Sequence, residues 1–254
     1  MSPYTFHATI LSVLALGMAA VPASATRIDY VAPDRYATWL MAADEVGKPT
    51  TFVVVGDKVA WSFRGDWKVK AKQASDRLNG AWREGLLRSD HIRPGKRDRQ
   101  FVVRCDRHTL LVVDNHFAKA QAERPAALAL SAIDGLRKAL GGIPLAQQVS
   151  RDGLPGVNAR SGVASWYGGF FHGRTAADGS RFDKTDYTMA SRTLKLGTLV
   201  LVQNPRNGKA VLVRVTDRGP YIHGRSLDLS QRTAQVLGIE SAGVASVRYY
   251  VFPQ

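Results

Sequence analysis

The sequence predicts a two-part chain: an α+β domain built from a repeated β-β-α unit, followed by a mainly β domain that closes into a small barrel. Three observations carry this expectation. Two alternating apolar stretches, "TTFVVVGDKVAWSF" and "QFVVRCDRHTLLVVD", are each followed by a segment with apolar residues at helical spacing. Residues 146–160, "AQQVSRDGLPGVNAR", mix Gly, Pro and polar residues without a period and read as a linker. Beyond them, short strands and dense glycine punctuation fill residues 161–254, the pattern of a small closed barrel.

The bounds come from composition. A chain of 254 residues with 45% hydrophobic content buries one large or two modest cores, and a charged fraction of 22% is too ordinary for wholesale disorder. The formal net charge of +14 draws polyanions: nucleic acid, anionic lipid or an acidic cell-wall polymer. Residues 1–25 narrow these, because the apolar run "TILSVLALGMAAVPASA" ends in Ala23-Ser24-Ala25, the small-x-small pattern of a secretory signal cleaved before Thr26. No later stretch approaches the roughly 20 apolar residues of a membrane span. The expectation is an exported protein of the periplasm or cell envelope, without a signal-end cysteine for a lipid anchor. Export removes nucleic acid as a partner. Cys105 is the single cysteine, lies in an alternating apolar stretch and reads as a buried small hydrophobe.

The first domain, residues 26–145, is expected to turn at Gly56-Asp57 and near Asp106. Its helices are expected over "GDWKVKAKQASDRLNGAW" and "RPAALALSAIDGLRKAL", the second opened by Pro125 and closed by Gly141-Gly142. Each half would cover the other's apolar face. His91, His108 and His116 lack metal-ligand spacing, and the basic run "HIRPGKRDRQ" reads as a solvated loop between units.

In the second domain, "SGVASWYG", "GTLVLVQ", "KAVLVRV" and "GVASVRYYVF" are strands, with a turn at Asn207-Gly208. A short helix "QRTAQVLG" is capped by Ser230 and stopped by Gly238. Asp217 closes the strand of Val211, Val213 and Val215. Strict alternation puts it on their face, with Arg218 pointing away. Burial without a facing cation would raise its pKa into the range a general acid needs, whereas backbone N–H donors would make it a scaffold residue with a lowered pKa. Asp228, in "RSLDLS", reads as a capping residue or a partner of Arg225. Asp178 and Asp183 read as turn-forming or solvated.

The segments "GVASWYG", "FHGR", "RTLKLGTLVLVQNPRNGKAVLVRVTDRGPY", "GRSLDLS" and "GVASVRYYVF", in this order over residues 161–254, resemble the rare lipoprotein A family of bacterial cell-wall proteins. The resemblance implies a six-stranded double-psi β-barrel, related in architecture to expansins, and a septal lytic transglycosylase cutting glycan strands that lack stem peptides. It puts the family's catalytic Asp at Asp217. Lytic transglycosylation needs an acid for the glycosidic oxygen and a base for the muramic 6-hydroxyl, and one carboxyl group performs both in turn. No cofactor is implied.

The chain departs from the family at Ser191, which occupies the place of its second catalytic residue, a histidine; at Lys195, in place of a proline; and at Ser180, in place of a glutamate. Serine makes hydrogen bonds but does not perform imidazole's proton transfer near neutral pH. His172 and His223 are candidate substitutes or plain loop residues. Trp166 and Tyr167 are sugar-stacking candidates or core, and Arg192, Lys195, Arg218 and Arg225 are candidate holders of lactyl and other carboxylates or ordinary surface charges. The family's C-terminal denuded-glycan-binding module has no counterpart after the barrel, so septal targeting is expected from elsewhere. Three readings follow: a transglycosylase acting through Asp217 with Ser191 on the substrate, a non-catalytic expansin-like binder of peptidoglycan glycan strands, or a barrel positioned by a first domain that recruits a protein partner.

Overall fold

The computed structural model describes residues 26–29, 38–45, 48–154 and 156–253; the expected signal, residues 1–25, lies outside them. The first strands, β1 (Thr26–Asp29), β2 (Thr38–Glu45), β3 (Lys48–Val55) and β4 (Lys58–Arg64), form an antiparallel sheet in sequence order. The β3–β4 turn is Gly56-Asp57, where Gly56 takes φ 60°, a left-handed value that glycine adopts without a Cβ penalty. Helix α1 (Lys68–Arg83) follows, burying Ala71, Ala74, Leu78 and Ala81 at helical spacing.

The second unit opens on a strand. "HIRPGKRDRQ" is not a solvated loop: Ile92–Arg97 form strand β5, paired from Ile92↔Cys105 onward with β6 (Gln100–Cys105), which turns into β7 (His108–Val113). Ile92, Pro94 and Gly95 are buried. The flanking cations hid this strand, and its proline is tolerated because β5 is an edge of its three-stranded sheet. The repeated unit is therefore a meander and not a bare hairpin. Cys105 is buried as expected, its Sγ 3.1 Å from the Leu86 carbonyl and its thiol pushed by burial up to about 11.

After β7 come α2 (Asn115–Ala120) and α3 (Pro125–Ala139), the latter with Pro125 in its first turn as expected. The helices knit the two sheets together. Helix α1 packs on β2, β3 and β7, while α3 packs on β4, β5 and β6. At the crossing with β4, α3 has Gly135; a Cβ there would stand 2.5 Å from the Ala60 carbonyl oxygen, so this close approach requires glycine. Arg137, only 2% exposed, is held by carbonyls: Nε donates to Ile143 O (2.8 Å), Nη1 to Ser89 O (2.8 Å), and Nη2 to the Gln148 side chain.

Part of the expected linker is structured. Leu145–Arg151 form helix α4, which buries Leu145 and Val149, one turn apart, and whose Leu145 N–H donates to Asp134 Oδ1 at 2.6 Å. The two apolar residues were too few among glutamines and serine to register as a period. The buried core runs without interruption from the first domain into the second, and α3 also lies against the barrel strand β11 (Ala210–Asp217).

The barrel comprises β8 (Ala159–Tyr167), β9 (Thr188–Ser191), β10 (Leu199–Gln203), β11, β12 (Leu227–Ser230) and β13 (Val244–Val251), closed in the order β10-β11-β9-β12-β8-β13. The pairs β11–β9 and β12–β8 are parallel and the others antiparallel, which gives a six-stranded double-psi β-barrel without a free edge. Helix α5 (Gln231–Leu237) has Ser230 as its N-cap, accepting from Thr233 N–H, and ends at Gly238 with φ 70°.

Candidate functional site

Asp217 stands at the end of β11, but strict alternation does not carry it there. Val215 pairs with Met189 on β9, and the next paired residue is Asp217, opposite Ala190, so Thr216 is an extra residue in the ladder. The bulge turns Thr216 inward, where it is 2% exposed, and leaves Asp217 half-buried. The alternation of Val211, Val213 and Val215 therefore predicted the wrong residue for burial. Asp217 Oδ1 accepts the N–H groups of Arg218 (2.8 Å) and Ala177 (3.1 Å). Among the described residues, no hydrogen bond reaches Oδ2. The scaffold role and an open oxygen thus coexist in one carboxylate.

Arg218 does point away from it. Its Nη1 donates to the carbonyls of Ser191 (3.1 Å) and Leu194 (2.9 Å), bracing the chain between β9 and β10. Ser191 is 1% exposed, and its Oγ accepts from the N–H groups of Leu194 (3.2 Å) and Thr193 (3.4 Å). The hydroxyl expected on the substrate instead caps a buried turn. Ser180 likewise turns inward on its own loop, its N–H and hydroxyl both directed to Asp178 Oδ1.

A second carboxyl shares this face. Asp228 on β12 is also opposite Ala190, so Asp217 and Asp228 flank the same residue from the two strands on either side of β9. Directly opposite residues share a sheet face, and the methyl of Ala190 is all that the intervening strand places between them. Asp228 does not cap α5. It accepts the Ser165 hydroxyl at 2.9 Å. Burial pushes its carboxyl above the usual carboxylate range against the pull of that bond and of Arg225, and the charge of Asp217 adds to the rise. The signal available in "SLDLS" was the acid between two buried leucines, Leu227 and Leu229, which puts it on the face opposite the core.

The segment between β8 and β9 folds over this face as a small hairpin. Gly173 N–H donates to Phe182 O and Phe182 N–H to Arg174 O, both at 2.8 Å, and Thr175 bridges Arg181. Its tip is fastened to the end of β11 by Asp178 N–H on Thr216 O at 3.0 Å. Tyr167 is stacked on Phe182 (centroids 4.3 Å) and edge-on to Phe171 (5.7 Å); burial raises its phenol further, with the charges of Asp217 and Asp228 next in weight. Trp166 packs on the core and donates Nε1–H to Glu240 O at 3.0 Å. The exposed aromatics are others: Phe170 (75%), with the Arg174 guanidinium 3.8 Å from its centroid, Phe171, and Tyr221 (79%) just beyond the Asp217 turn. Consecutive aromatics among glycines in "GGFFHG" are the readable sign of Phe170 and Phe171.

The remaining candidates scatter. Arg192 Nη2 reaches Arg225 O at 3.4 Å, so these two cations are neighbours; Arg225 is half-buried, whereas Lys195 and His223 are exposed. His172 lies 3.7 Å from Asp183 and accepts the Lys184 N–H at 3.3 Å through Nδ1. In the first domain, His91 pairs with Asp106 (2.8 Å), His108 with Glu84 (2.9 Å), and His116 packs against Trp67.

Residues 159–249 match the domain family described as lytic transglycolase. A Synechocystis protein named probable endolytic peptidoglycan transglycosylase RlpA is 41% identical over 161 residues, 59% of this chain and 50% of that protein, a stretch longer than the barrel itself. The Aquifex aeolicus protein of the same name is 54% identical over 83 residues, 33% of this chain and 37% of its own length. The Neisseria meningitidis serogroup A endolytic peptidoglycan transglycosylase RlpA is 47% identical over 89 residues, 35% of this chain and 37% of that protein. The chain thus spans half or less of the length of these relatives. Among solved structures, the Streptomyces papain inhibitor aligns with TM-score 0.33 and 21% identity over 38% of this chain and 96% of its own. The apo expansin of Clavibacter michiganensis aligns with TM-score 0.32 and 22% identity over 38% and 52%. The barrel of this chain, which carries the Asp217–Ala190–Asp228 face, is thus similar to the lytic transglycolase domain family.

Proposed function

We propose that the protein is an exported, periplasmic or envelope lytic transglycosylase that cuts stem-peptide-poor peptidoglycan glycan strands endolytically, with Asp217 as general acid and base. The observation that carries the reading is the open Oδ2 of Asp217 on a carboxylate whose other oxygen is fixed by two N–H donors. Such a group has one oriented oxygen for a proton, and among the described residues no cation pairs with it. Asp217 protonates the glycosidic oxygen and then takes the proton of the muramic 6-hydroxyl as that oxygen closes on C1, so the bond breaks without water and leaves a 1,6-anhydro end. Phe170, Phe171 and Tyr221 offer stacking surfaces, and Arg192, Arg225 and Lys195 offer cations for carboxylates.

One observation favours the second reading, a binder: the position where the family carries an imidazole holds a buried serine whose oxygen accepts two backbone amides. The test is mass spectrometry of amidase-treated sacculi incubated with the protein, beside Asp217→Asn. New 1,6-anhydro ends that vanish in the variant establish the enzyme. Retained binding to denuded sacculi without new ends establishes the binder.

A further inference from the structure

The geometry points to Arg99, in the first domain, as a positioning residue for Asp217, and to the first domain as the built-in brace of the barrel's acid. The inference rests on the transglycosylase reading for its catalytic consequence but not for its geometry. Arg99 sits in the turn between β5 and β6, the tip of the hairpin hidden in the basic run. That tip reaches the barrel. Its backbone carbonyl accepts Arg214 Nη1 from β11 at 2.8 Å, and its own Nη2 donates to the Asp178 carbonyl at 3.2 Å. Arg99 therefore ties together the strand that ends in Asp217 and the loop that lies over it.

From Asp178 the connection continues in two short steps. Asp178 N–H is bonded to Thr216 O (3.0 Å), and the preceding N–H, of Ala177, is one of the two donors on Asp217 Oδ1 (3.1 Å). The other donor, Arg218 N–H, follows in the chain and moves with the carboxylate. Ala177 is the donor that comes from elsewhere, and so it sets which way the carboxylate faces. The same loop is held a second time farther along, where Arg124 meets Asp183 (3.1 Å) and Thr185. Two cations of the first domain thus grip the segment over the acid, Arg99 at its tip and Arg124 nearer β9, and the barrel holds the same tip through Thr216 O and Asp217. Small displacements of a reacting group reduce turnover far more than they reduce binding, because a misplaced proton donor still leaves the glycan contacts in place.

The experiment uses the full chain with three variants: Arg99→Ala, Arg99→Lys, and Arg97→Ala, which removes an exposed neighbouring cation at the end of β5. Amide hydrogen exchange of Ala177 is followed by NMR, and turnover is followed on soluble denuded glycan strands. Arg99→Ala is expected to speed Ala177 exchange about tenfold or more and to lower kcat roughly tenfold to a hundredfold, with KM changed less than about twofold. Arg99→Lys, which keeps a donor, recovers part of both, and Arg97→Ala changes neither. Unchanged exchange and kcat in Arg99→Ala would overturn the brace, as would an equal loss in Arg97→Ala, which would assign the effect to charge. If the wild-type chain makes no 1,6-anhydro ends, the transglycosylase reading falls, and Ala177 exchange alone then decides the brace in the same two directions.

Discussion

Asp217 and Asp228 share one cross-strand neighbour, Ala190, across which the two carboxyl groups face the same side of the barrel. Asp217 accepts two backbone amides, whereas Asp228 accepts the Ser165 hydroxyl and is pushed up by burial. Their substitutions are expected to separate. Asp217→Asn keeps an acceptor for the Ala177 and Arg218 amides but carries no proton to transfer, so 1,6-anhydro release should fall on the order of 10²- to 10⁴-fold with binding to denuded sacculi retained. Asp228→Asn should leave a larger part of the turnover. Equal losses in both variants would show instead that the two carboxyls transfer protons together.

Asp228 also predicts a stability profile. Its folded carboxyl titrates above its unfolded value, so the folded state binds its proton more tightly; the resulting stabilisation is present below the unfolded pKa and is lost as pH rises through the folded one. Asp228→Asn removes this loss while keeping an acceptor for Ser165. The variant should therefore melt at a higher temperature than the wild type near neutral pH. The gap should close as pH falls below the ordinary carboxylate range, as calorimetry across pH would show. A variant less stable at pH 7 would mean that the charged form is favoured in the fold.

Much of the fold was readable where its elements are local. The Gly56-Asp57 turn, Pro125 at the start of α3 and the Ser230 cap depend on a few adjacent residues, and all three hold. What failed depended on partners far away in the chain. Alternation along β11 could not reveal the bulge at Thr216, because the register is set by β9, some 25 residues earlier. Nor could β5 be seen in a basic run, since its pairing with β6 and its contact with the barrel are tertiary facts. Ser191 reads as a missing imidazole in sequence. In the fold it is a buried cap.

That cap gives a direct prediction. Ser191→Ala removes the acceptor of the Leu194 and Thr193 amides, and leaving them without a partner should cost about 1–3 kcal/mol in denaturant unfolding. Turnover per folded molecule should stay within about twofold, because a hydroxyl 1% exposed does not meet a glycan. A large kcat loss at unchanged stability would bring Ser191 back to the substrate.

Helix α3 offers the sharpest test of packing against propensity. Alanine is the better helix former by about 1 kcal/mol, so an exposed Gly135→Ala would stabilise. Here the added methyl meets the Ala60 carbonyl oxygen at 2.5 Å, and backbone cannot swing aside as a side chain can. Because α3 touches β4, β5, β6 and β11, a shift of the helix would disturb both sheets of the first domain and the wall of the barrel together. Gly135→Ala should therefore destabilise by roughly 1–3 kcal/mol, with the loss appearing in a single unfolding transition of the continuous core. Two separated transitions in the variant would show that α3 belongs to the first domain alone, and that the brace on Asp217 works through its hairpin tip without help from the helix.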